Sequence, residues 1–356
     1  MQFFRFLWHN HLQFQVETVY LTRIDLLCKV QITRRKNKMY LGIDLGGTNI
    51  AVGVVNDNYQ IIARAKNHTK VPCPEEEMTE QLATATLQAL QTANLTLDDV
   101  PWIGVGSPGS IDSKHGIVGF AGNLGLRSYT LADQLSKRLN GKKVFLENDA
   151  NAAAFGEYQA GALKGANDAL AITLGTGIGG GVIINGKIYS GCNGAAGELG
   201  HIVIQMDGRP CSCGRRGCWE AYASATGLVK TTQEIMEANP DKNAPIWEIA
   251  KGDLANVDGR TAFDAMRAGD PLGQQAVDRF IHDLGTGIAN CINTFQPDIL
   301  CIGGGICNEK ENLLRPLRAF LKHEVFLVPN GKQTELRTAS LGNDAGIIGA
   351  ALLGNS

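Results

Sequence analysis

Residues 39–55, Met-Tyr-Leu-Gly-Ile-Asp-Leu-Gly-Gly-Thr-Asn-Ile-Ala-Val-Gly-Val-Val, set an apolar strand, a glycine turn and a second strand in a row. The order returns at 169–184, Ala-Leu-Ala-Ile-Thr-Leu-Gly-Thr-Gly-Ile-Gly-Gly-Gly-Val-Ile-Ile. Short apolar runs bounded by turn residues are the signature of buried strands. Their recurrence points to a duplicated α/β unit. Two such units face each other across a cleft, a common place for a ligand.

Further strands are expected at 60–66, 101–106, 143–146, 187–189 and 298–302. Helices are expected at 74–92, 149–161, 271–293 and 344–353. The first places Met78, Leu82, Leu87 and Leu90 on its apolar side, behind three glutamates that suit a helix N-terminus. The third does the same with Phe280, Leu284, Ile288 and Ile292.

Residues 1–38 differ from the rest. They carry Phe3, Phe4, Phe6 and Trp8 and end in Arg34-Arg35-Lys36-Asn37-Lys38. No apolar core with a small-residue cleavage site marks a secretory signal, and Glu17 and Asp25 speak against a transit peptide. The segment is expected to be a dispensable extension, with the natural start at Met39; a peripheral arm is the rival reading.

The 356 residues carry a net charge of −2, which gives no reason to expect a nucleic-acid partner. No apolar run is long enough for a membrane span. Glycine is the outlier: 43 residues, about 12% against an ordinary ~7%.

Two glycine motifs mislead. Gly175 to Gly180 matches G-x-G-x-x-G, but a dinucleotide site needs a helix after the turn, and here a strand follows. Gly181 to Lys187 matches G-x-x-x-x-G-K, but Ile188 replaces the required hydroxyl residue. What remains is two glycine hairpins, Asp44-Leu45-Gly46-Gly47-Thr48 and Gly175-Thr176-Gly177. Backbone N–H groups in such turns approach phosphate oxygens closely. Thr48 and Thr176 add hydroxyls, and Asp44 suits Mg²⁺, directly or through water. One hairpin alone would favour a tight turn without a ligand; two in duplicated positions favour a nucleotide-phosphate site.

Cys211, Cys213 and Cys218 lie within eight residues, with His201 upstream. Three thiolates and one imidazole complete a tetrahedral Zn²⁺ shell with no open position, a structural site. A local disulfide or free thiols are the alternatives. The nine cysteines show no paired secreted framework, which fits a reducing, cytoplasmic setting. Cys28, Cys73, Cys192, Cys291, Cys301 and Cys307 are expected to be buried small apolar residues.

Glu147-Asn148-Asp149-Ala150-Asn151 stands where a strand gives way to a helix, the kind of end that lines α/β crevices. Asp149 by position alone suits a helix cap. Glu198, Glu220 and Asn123 suit hydrogen bonding to a ring of hydroxyls.

These motifs, with Gly197-Glu198-Leu199-Gly200-His201 and the Cys211–Glu220 segment, resemble the ROK (repressor, ORF, kinase) family over about residues 39–356. Within the family the pattern is most similar to its ATP-dependent glucokinases. The resemblance implies a two-lobed ribonuclease-H-like (actin/hexokinase-like) fold. The lobes would be 39–155 plus 343–356, and 156–342, with an inter-lobe cleft. It implies transfer of the ATP γ-phosphoryl group to the 6-hydroxyl of glucose, the first step of glycolysis. Asp149 would be the catalytic base. Asn123, Asn148, Glu198, His201 and Glu220 would contact the sugar, and His201 would also hold zinc. Gly303, Gly304 and Gly305, with the 343–346 turn, would lie near the nucleoside. A cytoplasmic homo-oligomer, dimer or tetramer, is implied as well. Other hexoses (N-acetylmannosamine, N-acetylglucosamine, mannose or fructose), a sugar-responsive repressor and an inactive sugar sensor are the rivals. The 38-residue leader is the departure from the family pattern.

Overall fold

The computed structural model describes residues 38–239, 241–326 and 328–356. The expectations for the leader therefore lie almost wholly outside the described residues. Thirteen strands, β1–β13, are named among these residues.

The first half opens with β1 (Tyr40–Leu45), β2 (Asn49–Val55) and β3 (Ile61–His68), an antiparallel meander. Helix α1 (Glu75–Thr92) leads to β4 (Ile103–Ser107). A small antiparallel sheet of β5 (Ser110–Asp112), β6 (Ile117–Ala121) and β7 (Leu126–Tyr129) follows. Then come α2 (Leu131–Arg138), β8 (Val144–Asn148) and α3 (Asp149–Ala160). The main sheet is ordered β3-β2-β1-β4-β8, with β1, β4 and β8 parallel.

The second half repeats the plan. It opens with β9 (Ala169–Leu174), β10 (Ile178–Ile184) and β11 (Lys187–Ile188). Helices α4 (Glu220–Ala223), α5 (Ala225–Ala238), α6 (Pro245–Ile249), α7 (Thr261–Arg267) and α8 (Pro271–Phe295) precede β12 (Ile299–Gly304). Helix α9 (Glu311–Glu324), β13 (Glu335–Thr338) and α10 (Ala345–Leu352) complete it. The sheet order, β11-β10-β9-β12-β13, matches the first strand for strand. Short β-β turns make the antiparallel edge, whereas the parallel strands need helical crossovers.

Two helices trade places. Helix α3 leaves the first sheet and packs on β9 and β10 of the second; α10 leaves the second and packs on β1 and β4 of the first. They also pack on each other. Both approaches of α10 are close: a methyl on Gly104 of β4 would sit 1.7 Å from the Ala350 carbonyl oxygen, and one on Gly349 1.7 Å from that of Ala152 in α3. The core between the sheets joins Tyr40 and Val55 to Phe155, Ile183, Cys301, Ile347 and Leu352. The other face of the second sheet packs Leu170, Ile172, Trp219, Phe263, Phe280 and Leu284 together.

Two expectations are corrected. Leu87 is 49% exposed, because five residues after Leu82 it falls off the i, i+4 stripe that buries Met78, Leu82, Thr86 and Leu90. Cys192 is exposed in the loop after β11 and Cys73 and Cys307 are only part-buried, whereas Cys291 and Cys301 are buried as expected; Cys28 lies outside the described residues.

Candidate active site

The parallel strands of the first sheet end together, so Asp44, Gly106 and Glu147 line up near one edge through the register of β1, β4 and β8, with Asn148 next in the chain. Asp149, the first residue of α3, follows directly. Asn148, not Asp149, caps this helix: its side-chain oxygen accepts from the N–H groups of Ala150 (2.9 Å) and Asn151 (3.2 Å). The Asn148 amide donates to the Gly109 carbonyl at 3.1 Å. Asp149 is thus not needed as the cap.

Burial raises the Asp149 carboxyl above the ordinary range, opposed in part by hydrogen bonds to the Ala150 N–H and the Asn148 side chain. Burial also raises Asp44, to about 6, with the Asp149 charge adding to the rise. Two carboxyls that repel each other in this way hold a proton or a cation more readily than either would alone. Gly346, at the start of α10, lies against Asp44: a methyl there would come within 3.0 Å of the carboxylate. The 343–346 turn therefore meets Asp44, with Asp344 paired to Arg64 at 2.7 Å.

The first glycine turn is closed by the Gly46 N–H donating to the Asn49 carbonyl at 2.9 Å. It lies beside Asn123, whose amide nitrogen is 3.2 Å from where a Gly47 methyl would stand. The second turn is closed by the Gly175 N–H donating to the Gly177 carbonyl at 3.0 Å. The start of α5 braces it: the Thr226 hydroxyl donates to the Thr176 carbonyl (2.8 Å), and the Ala225 N–H to that of Gly175 (2.9 Å). A strand follows the turn, which settles both misleading motifs.

Gly303 pairs with Thr173 and Gly304 with Leu174, so Gly303, Gly304 and the second turn share one edge of the second sheet, with Gly305 next in the chain. Gly304 has φ +102°, and a methyl on it would strike the Leu174 carbonyl oxygen at 2.0 Å.

The ligand atoms of His201, Cys211, Cys213 and Cys218 lie within 4.8 Å of one another. The Cys211 sulfur is 3.6 Å from His201 Nδ1, and the Cys213 and Cys218 sulfurs are 3.7 Å apart. A tetrahedral zinc with bonds of about 2.3 Å to sulfur and ~2.1 Å to nitrogen spaces its ligands by nearly these amounts. The donor set therefore fits the ion. Gly214 and Gly217, at φ +85° and +78°, turn the loop. With Nδ1 facing the thiols, His201 Nε2 faces Glu198, 3.9 Å away.

Glu220, two residues after Cys218, accepts the Ile178 N–H at 2.9 Å. It also lies where a Gly177 methyl would stand. The thiol loop is thereby tied to the second glycine turn, a long-range bond with no local sequence signal. A cavity of about 240 Å³ opens between them, lined by Thr176, Cys211, Ser212, Glu220, Thr226 and Lys230 among others. Glu147, visible in its motif, was missed as a structural centre: it is 5% exposed and fully engaged.

Comparison with known proteins places these residues in context. The sequence profile of the ROK family matches residues 40–356. A glucokinase of Thermotoga maritima is 39% identical over 313 residues, 87% of this chain and 95% of that protein. A ROK family glucokinase from Streptomyces griseus, solved with glucose and AMPPNP, is 36% identical. Its TM-score is 0.72, over 88% of this chain and 98% of that one. A ROK hexokinase from Thermus thermophilus is 33% identical, with a TM-score of 0.71 over 88% and 97%.

Proposed function

The chain belongs to the ROK family, and we propose that it is a glucokinase, transferring the ATP γ-phosphoryl group to the glucose 6-hydroxyl. The observation that carries the reading is Asp149, raised by burial and set beside Asp44 at the edge where the first glycine turn lies.

Phosphoryl transfer asks a protein mainly for positioning and electrostatics. Asp149 accepts the 6-hydroxyl proton as that oxygen bonds to the γ-phosphorus and the bond to the ADP oxygen breaks. A carboxylate of raised pKa is the stronger base. Asn123, Asn148, Glu198, His201 and Glu220 hold the sugar hydroxyls. Gly46 and Gly175 close the two turns, the N–H groups of Gly47, Thr48, Thr176 and Gly177 cradle the phosphates, and Gly303–Gly305 flank the nucleoside. Asp44 is the residue that would hold Mg²⁺, whose charge offsets that of the phosphates. His201, Cys211, Cys213 and Cys218 would hold one structural Zn²⁺. The lobes are 39–155 with 343–356, and 156–342, although α3 runs unbroken across the 155/156 boundary. A cluster of reduced thiols suits the cytoplasm; assembly as a homo-oligomer rests on the family alone. Among the described residues, no helix is long and apolar enough to cross a membrane.

A coupled assay of ADP release across a panel of hexoses tests the reading. Glucose is expected to give the highest kcat/KM. A higher value with N-acetylmannosamine, N-acetylglucosamine, mannose or fructose reassigns the substrate, and no turnover with any sugar refutes the kinase.

A further inference from the structure

Glu147 is the last residue but one of β8, two residues before Asp149. Its carboxylate is buried and receives four hydrogen bonds, all from neutral donors. One oxygen accepts the Asn148 N–H (2.9 Å) and the Asn151 amide (3.0 Å). The other accepts the hydroxyls of Ser113 (2.8 Å) and Ser190 (3.3 Å). Ser113 joins β5 to β6 in the first half, and Ser190 follows β11 in the second.

A carboxylate only accepts, so it dictates the direction of every group bonded to it. The consequence is sharpest at Asn151, which is 1% exposed. Its amide nitrogen must face Glu147, which turns its oxygen the other way. That oxygen has no hydrogen-bond partner in the structure. It lies 3.5 Å from where a Gly197 methyl would stand, next to Glu198 in the chain. An orphaned buried acceptor is rare and calls for a reason.

We propose that Glu147 is a positioning residue for phosphoryl transfer. It brackets Asp149 between two fixed neighbours, ties serines of both halves to the same carboxylate, and through Asn151 aims a free oxygen at the segment bearing Glu198. The proposal rests on the kinase reading given above. Four donors converge on this one buried side chain, and the arrangement returns rigidity at the reacting geometry. A misplacement of about 1 Å can cost on the order of 10²-fold in rate.

The test compares Glu147→Met with Glu147→Gln. Methionine fills the space without accepting. It is expected to lower kcat roughly 10²-fold, while the KM for ATP stays within about twofold. Glutamine keeps one acceptor, and the serine hydroxyls can reverse their roles, so it is expected to recover turnover to within about tenfold of wild type. A merely structural residue would lower the melting temperature of both variants without this split. A folded methionine variant with kcat within about threefold of wild type overturns the proposal. Should that variant not fold, Ser113→Ala with Ser190→Ala removes both donors from one oxygen; about a tenfold loss of kcat supports the proposal and wild-type turnover overturns it. Wild-type turnover is measured first: if the wild type phosphorylates a hexose, a negative result in the variants falls on Glu147 alone, and if it does not, both readings fall.

Discussion

Replacing Asp44 by Asn should make the ligand-free protein more stable, and increasingly so as pH rises. The Asp44 carboxyl titrates at about 6 in the folded chain against an ordinary 3.8. The folded state therefore binds more protons than the unfolded one between those values, and Asp44 contributes stability at low pH that is lost as pH rises through 6. At about 1.4 kcal/mol per tenfold in proton affinity, the full penalty of the ionised form is ~3 kcal/mol above pH 7. About half of it, ~1.5 kcal/mol, develops between pH 5 and pH 8. Asp44 is partly open to the cleft, so solvent screening makes these upper figures. Asparagine has nearly the same shape and no such penalty. Urea unfolding of wild type and Asp44→Asn, followed by tryptophan fluorescence, should show the gap in stability widening by roughly 1 kcal/mol or more across this range. Taking the difference cancels carboxylates shifted the other way, such as Asp298 beside Lys332, which are common to both proteins. Millimolar Mg²⁺ should narrow the gap at pH 8 by stabilising the wild type alone. A gap that stays constant from pH 5 to pH 8, or narrows, would show that burial does not raise Asp44 and would remove the electrostatic basis for a cation there.

Asp149→Asn should leave the fold and sugar binding in place and cut kcat by roughly 10²–10⁴-fold, the usual cost of losing a general base; turnover within threefold would mean that another group takes the proton. Metal analysis of protein purified without chelator should find one zinc per chain, and its absence would sink the site. Cys211→Ala should raise the KM values of both sugar and ATP, by roughly tenfold, because Glu220 ties the thiol loop to Ile178; an effect on sugar alone would mean that this tie transmits nothing.

What the sequence revealed follows from the range of the interactions involved. Strand–turn–strand units announce themselves through consecutive apolar residues and glycines, so β1–β2 and β9–β10 were legible, as were α1 and α8. The thiol cluster was legible because its spacing is local. The 110–129 sheet was not: its strands are three to five residues long, two of them mix Ser, Asp or Arg with isolated apolar residues, and Gly119 interrupts the third. The helices between 220 and 267 were hidden by their brevity or their mixed composition. At the site, the residue types at 147–151 pointed to chemistry, but the division of labour did not show. Asn148 and Asp149 are both good caps by type, and only the backbone decides that Asn148 takes the role. The bond from Ile178 to Glu220 spans 42 residues, and no local pattern encodes it.

The exchange of α3 and α10 bears on how the chain is made. Helix α10 is made long after β1 and β4, yet it covers both. Gly104 waits for Ala350 through about 250 residues of synthesis, on the order of 10–50 s at ~5–20 residues per second. Throughout that interval the nascent first sheet has a bare apolar face where Ile347 and Leu352 will later lie. The two halves cannot mature one after the other as separate beads. Helix α10 acts as a clasp, and a ribosome that stalls near residue 340 would leave almost all the strands made and neither half closed.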